Sequence, residues 1–92
     1  MRERRIADQL RRATGYGWSY NWVLAQWDSK DGAFYVRRVG IVGGDVGDSY
    51  GVVYMMYGPG GEAEKVGGSG WITHVPVWAH RVPPAVREEG KP

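Results

Sequence analysis

The sequence predicts an α+β domain that is mostly β: one N-terminal helix followed by a four- or five-stranded antiparallel meander. Three observations predict it. Apolar residues recur at helical spacing only ahead of Gly15; alternating aromatic and aliphatic runs follow; and glycine- and aspartate-rich clusters separate those runs at hairpin intervals. The pattern leaves two arrangements open, a small SH3-like barrel or an open sheet with the helix packed on it.

Residues 2–14 are good helix formers, with Ile6, Leu10 and Ala13 on one face, and Gly15 reads as the C-terminal stop. At about 100° per residue, Arg4, Arg5, Asp8, Arg11 and Arg12 fall on the other side, so the helix docks by a narrow apolar stripe and presents a basic face. Asp8 reaches its arginine neighbours one turn away and blunts that charge locally.

Residues 18–27 have strand composition, and period-two alternation puts Trp18, Tyr20, Trp22 and Leu24 on one face, read as core. Residues 28–32 carry turn chemistry, and 33–42 resume as a second strand to make a hairpin. Residues 43–49 read as a loop, 50–57 as a third strand, and 58–61 as the turn that closes it. Residues 62–66 read as a short edge strand, 67–70 as another turn and 71–78 as extended, with Pro76 at an edge or bulge. Pro83 and Pro84 end regular structure. The expected organisation is one domain over residues 1–84, with the basic helix at 1–14, the sheet at 16–80 and a mobile tail at 85–92.

Composition narrows the class. A chain of 92 residues has room for a single core. Its 15 Gly raise the entropy lost on folding, so 5 Trp and 6 Tyr must supply much of the burial. With no Cys, disulfides and thiolate zinc sites are excluded, which suits a reducing, cytoplasmic setting. No apolar run approaches the ~20 residues that span a bilayer, so no membrane association is expected. Positive charge sits at the front: residues 1–14 hold five Arg against Glu3 and Asp8, a net of +3, while residues 15–80 carry a net of −2.

The chemical motifs are incomplete. Gly47-Asp48-Ser49-Tyr50-Gly51 has the spacing of a hydrolase nucleophile elbow, but that elbow needs a strand before it and a helix after it within a large α/β sheet. A triad of Ser49, His74 or His80, and Asp45 or Asp48 can be written, yet no spacing brings its members together. On one extended segment His74 and His80 would lie ~20 Å apart, too far to share a metal. The run Gly43-Gly44-Asp45-Val46-Gly47-Asp48 completes neither a phosphate-binding nor a calcium-binding fingerprint. No catalytic set, metal or cofactor is implied.

Binding chemistry is better represented. Eleven Trp and Tyr exceed what one small core readily hides, and exposed rings mark interfaces. Trp18, Trp22, Trp27, Tyr35 and Arg38 are the candidate protein contacts, because Trp, Tyr and Arg dominate interface energetics. Arg4, Arg5, Arg11, Arg12 and Arg37 are candidate phosphate contacts for an alternative role as a nucleic-acid or nucleotide binder, with strand aromatics stacking on bases. A homodimer would hide the surplus rings as well as a foreign partner would.

Trp71-Ile72-Thr73-His74, followed by Trp78 and Pro83-Pro84, resembles the closing pattern of a phage and prophage family of short proteins of unknown function. Trp22-Val23-Leu24-Ala25 and Asp31-Gly32-Ala33-Phe34-Tyr35 are similar to that family's opening hairpin, while the Arg-rich helix lies outside its pattern. The resemblance implies a phage or mobile-element setting and carries no catalytic residues. The function expected is a small non-enzymatic inhibitor or adaptor, for example against a host defence, acting by contact with a host or self protein.

Overall fold

The computed structural model describes residues 2–42 and 50–80. Helix α1 (Arg2–Thr14) precedes six strands, β1 (Trp18–Asn21), β2 (Gln26–Ser29), β3 (Tyr35–Val42), β4 (Tyr50–Tyr57), β5 (Ala63–Gly68) and β6 (Trp71–Ile72), and a 3-10 turn closes the described chain at Val77–Ala79. Every pairing is antiparallel and joins sequence neighbours, so the sheet is a meander. It curls into a half-barrel, and α1 lies against both of its ends, β1 on one side and β6 on the other.

The helix forms as its pattern predicts. Ile6 and Leu10 are fully buried, and the chain leaves the helix at Gly15, whose φ of +89° is open to glycine and costly for other residues. The Gly15 N–H donates back to the Arg11 carbonyl at 2.8 Å. Thr14 then ties the helix end to the sheet: its hydroxyl donates to the Leu10 carbonyl at 2.7 Å and accepts the Trp18 indole N–H at 2.9 Å. At the far end of the sheet Gln9 Oε1 accepts the Ile72 N–H at 2.6 Å. Both ends of the meander are thus hydrogen-bonded to one helix.

Period-two alternation sorts the two faces. Val36, Tyr54 and Met56 point toward α1 and join Trp27, Phe34, Val66, Val75 and Ala79 in the core. Tyr35, Arg37, Met55 and Tyr57 occupy the opposite face, where Tyr35 stacks on its cross-strand partner Tyr57 with ring centroids 4.8 Å apart.

The strand count exceeds expectation because residues 18–27, read as one strand, fold back on themselves. The Asn21 side chain is the cause. Its Oδ1 accepts the Val23 and Leu24 N–H groups at 3.0 Å each, offering the backbone a turn in place of a ladder. Ala25, at φ +55°, completes the reversal, and Asn21 pairs with Gln26. Trp22 and Leu24, expected in the core, therefore sit exposed at a hairpin tip.

Three further expectations are corrected. The strand read at residues 62–66 runs on to Gly68, and β6 pairs with its Gly67–Gly68 end alone, so only residues 63–65 keep the edge position expected of it. Gly67 and Gly68 belong to β5 rather than to a turn, leaving Ser69 and Gly70, at φ +53° and +88°, as a two-residue primed turn. The segment 71–78 is a strand only at Trp71–Ile72, and Pro76 caps the 3-10 turn. The loop at 43–49 and the tail at 85–92 lie outside the described residues.

Candidate functional site

The five candidate protein contacts do not form one patch. Trp27 is a correction: it is fully buried, because its pairing with Tyr20 turns it to the inner face beneath α1. Its ring meets Tyr20 and Tyr54 edge-on at 4.8 and 5.8 Å, and its indole N–H donates to the Glu3 carbonyl at 2.8 Å. Arg38 is part-buried and engaged within the fold. Its guanidinium lies 4.9 Å above the Trp27 ring and 3.3 Å from the Glu3 carboxylate. Burial pulls the Arg38 pKa down, but hydrogen bonds to Tyr54 and Glu3 outweigh it and leave the pKa above its ordinary value. Tyr35 sits on the face turned away from the helix.

Trp18 and Trp22 do come together. With Tyr20 and the Arg4, Ala7 and Asp8 side of α1 they line a cleft of about 550 Å³ between helix and hairpin. Trp22 packs edge-on against Tyr20 at 4.6 Å and is still 71% exposed, next to Val23 and Leu24 at 91% and 52%. A row of rings, Trp22, Tyr20, Trp27 and Tyr54, thus runs from the solvent into the core.

The arginines also divide. Arg11 pairs with Asp8 at 3.3 Å. Among the described residues, no carboxylate comes within ion-pair distance of Arg4, Arg5 or Arg12. Arg37 stands apart from the helix arginines, since successive strand residues point to opposite faces and it projects away from α1, exposed and with its Nε–H donating to Gln26 Oε1 at 2.9 Å. In its place stands Trp71, which was not among the candidates. It is 58% exposed, the Arg5 guanidinium lies 5.6 Å from its ring centre, and the two border a cleft of about 360 Å³. Its signal in the sequence was Gly67, whose Cβ would collide with the Trp71 carbonyl oxygen: only glycine lets β6 approach β5 so closely and turn Trp71 toward α1.

One hydroxyl, imidazole and carboxylate do meet: the imidazole is His74, but its partners are Thr73 and Glu64. His74 Nδ1 lies 3.2 Å from the Thr73 hydroxyl and its Nε2 lies 3.3 Å from Glu64. The imidazole and the carboxylate are both about half exposed on open surface, and the Thr73 hydroxyl also reaches the Val66 carbonyl at 3.2 Å. His80 is exposed beyond the 3-10 turn, and no group of three or more ligating side chains that could hold a metal occurs among the described residues. Ser49 and the Gly43 to Asp48 run lie outside the described residues. Comparison with protein-family models, with curated proteins and with solved structures finds no match for this chain.

Proposed function

We propose that the chain is a small non-enzymatic binding protein that docks onto a partner protein through the β1–β2 hairpin tip and the cleft beside it. The observation that carries this reading is the run Trp22, Val23 and Leu24, three consecutive large apolar side chains held out of the core. Fully burying each is worth about 1.5–3 kcal/mol, a gain left unused in the monomer and available to an interface. The tip is also pre-organised. Two hydrogen bonds to Asn21 and the Tyr20 ring fix its shape, so little conformational entropy is lost on docking. Arg4 and Asp8, on the helix wall of the cleft, supply a polar rim around the aromatic centre.

A reactive centre is not needed to explain this surface, and the His74 imidazole with its Thr73 and Glu64 partners stands outside the clefts described above. The resemblance to a phage and prophage family extends the proposal to a cytoplasmic inhibitor or adaptor encoded by a phage or mobile element. Affinity capture before and after nuclease treatment, with the parent chain and with Trp22→Ala/Leu24→Ala, tests the reading. A protein partner that survives nuclease and is lost only with the variant supports it. Equal capture by both chains at equal melting temperature refutes it.

A further inference from the structure

We propose that the second cleft, between α1 and β6, binds single-stranded nucleic acid, with Trp71 stacking on a base and Arg5, Arg12 and Arg4 contacting the flanking phosphates. Four observations converge. The cleft is walled by Arg4, Arg5 and Arg12, and no carboxylate among the described residues takes up their charge. Asp8 also lines it, but that carboxylate is held by Arg11 at 3.3 Å. Trp71 keeps 58% of its surface exposed even with Arg5 beside it, so a flat ring and a guanidinium plane are offered together. Finally, Arg4 and Arg12 are eight positions apart on α1, about 12 Å along the axis at ~1.5 Å per residue, which spreads positive charge along a line rather than at a point.

That combination selects its ligand. A row of unneutralised guanidiniums attracts a polyanion, and Arg forks match phosphate oxygens in pairs. An acidic peptide would satisfy the charge but has no use for the exposed indole. A duplex keeps its bases stacked inside and equally leaves the indole idle. A single strand uses both, since its splayed bases stack on aromatic rings while its backbone follows a basic groove.

The test is fluorescence anisotropy of a labelled oligothymidylate titrated with the full chain across a salt series. With three phosphate contacts the affinity should fall with a log–log slope of about −2, or roughly 20-fold between about 50 and 200 mM salt. Arg5→Ala/Arg12→Ala should flatten the slope to about −0.7. Arg37→Ala/Lys65→Ala removes the same charge elsewhere and should leave the slope unchanged. Trp71→Leu keeps apolar bulk without a ring and should weaken binding about tenfold, whereas Trp71→Tyr should retain most of it. Absence of binding at about 50 mM salt would overturn the proposal. So would equal losses in the two charge-removal variants, full affinity in Trp71→Leu, or competition by oligoglutamate as effective as by unlabelled oligothymidylate. Trp22→Ala leaves this cleft intact, so failure here is distinguishable from failure of the protein-docking proposal.

Discussion

The Trp27 indole N–H donates to the backbone carbonyl of Glu3 at 2.8 Å, joining the first turn of the helix to the strand beneath it. The same glutamate holds Arg38 through its carboxylate, and Arg38 lies over the Trp27 ring, so three residues from α1, β2 and β3 close a small network under the helix. Trp27 is therefore the residue on which helix docking rests most heavily. Trp27→Ala should cost about 3–5 kcal/mol, and Trp27→Phe should cost less because it keeps a ring and loses the hydrogen bond. Urea unfolding followed by circular dichroism measures both; a loss below about 1 kcal/mol for alanine would contradict the burial described.

Thr14 makes the corresponding tie at the other end of the helix. Thr14→Val is nearly isosteric yet leaves the Trp18 indole N–H without its acceptor, and should cost about 1–3 kcal/mol. Thr14→Ser keeps the hydroxyl and should cost about 1 kcal/mol or less, the share of one methyl group. The order of the two variants in chemical denaturation decides whether the hydroxyl or the methyl matters.

Ala25 holds a left-handed conformation, φ +55°, that is unfavourable for a residue with a Cβ. Ala25→Gly relieves about 1–2 kcal/mol of strain and restores part of it as unfolded-state entropy, for a net gain of up to about 1 kcal/mol. A rise in melting temperature with unchanged partner capture is expected, because the turn shape is already set by Asn21.

Gly67 has the opposite sensitivity. A Cβ there meets the Trp71 carbonyl oxygen, and backbone rather than a flexible side chain must move. Gly67→Ala should cost about 1–3 kcal/mol or more and detach β6, so oligothymidylate binding should be lost together with stability. The shift in melting temperature, measured beside the anisotropy assay, checks the link between this glycine and the position of Trp71.

Much of the fold was legible. The Ile6 and Leu10 stripe and the Gly15 stop marked α1, and a continuous apolar and aromatic run between glycine-rich segments marked β4 over Tyr50–Tyr57. The first hairpin was misread because alternation runs straight through its turn: Trp22 and Leu24 continue the apolar rhythm of Trp18 and Tyr20 while being held outside the core. Local rules fail where exposed apolar residues replace the polar residues a turn would ordinarily carry. The hidden reversal also moved Trp27, since a four-residue turn brings it opposite Tyr20 and onto the inner face. Trp71 was missed as a candidate for another reason: Gly67 signals a close approach of β6 to β5 and says nothing of the helix. The meeting of Trp71 with Arg5 joins segments far apart in sequence and depends on the curl of the whole sheet, which no local pattern reports.

The claim that the β1–β2 tip is a docking surface is tested most directly by site-specific photo-crosslinking from position 23. Val23 is 91% exposed, so a photoreactive side chain there leaves the fold undisturbed, and position 60, in the β4–β5 turn, serves as the exposed control. One dominant protein adduct from position 23, absent from position 60 and abolished by Trp22→Ala, is the predicted result; an adduct of twice the chain mass would identify the partner as a second copy. No adduct from position 23, or the same adducts from both positions, would contradict the claim.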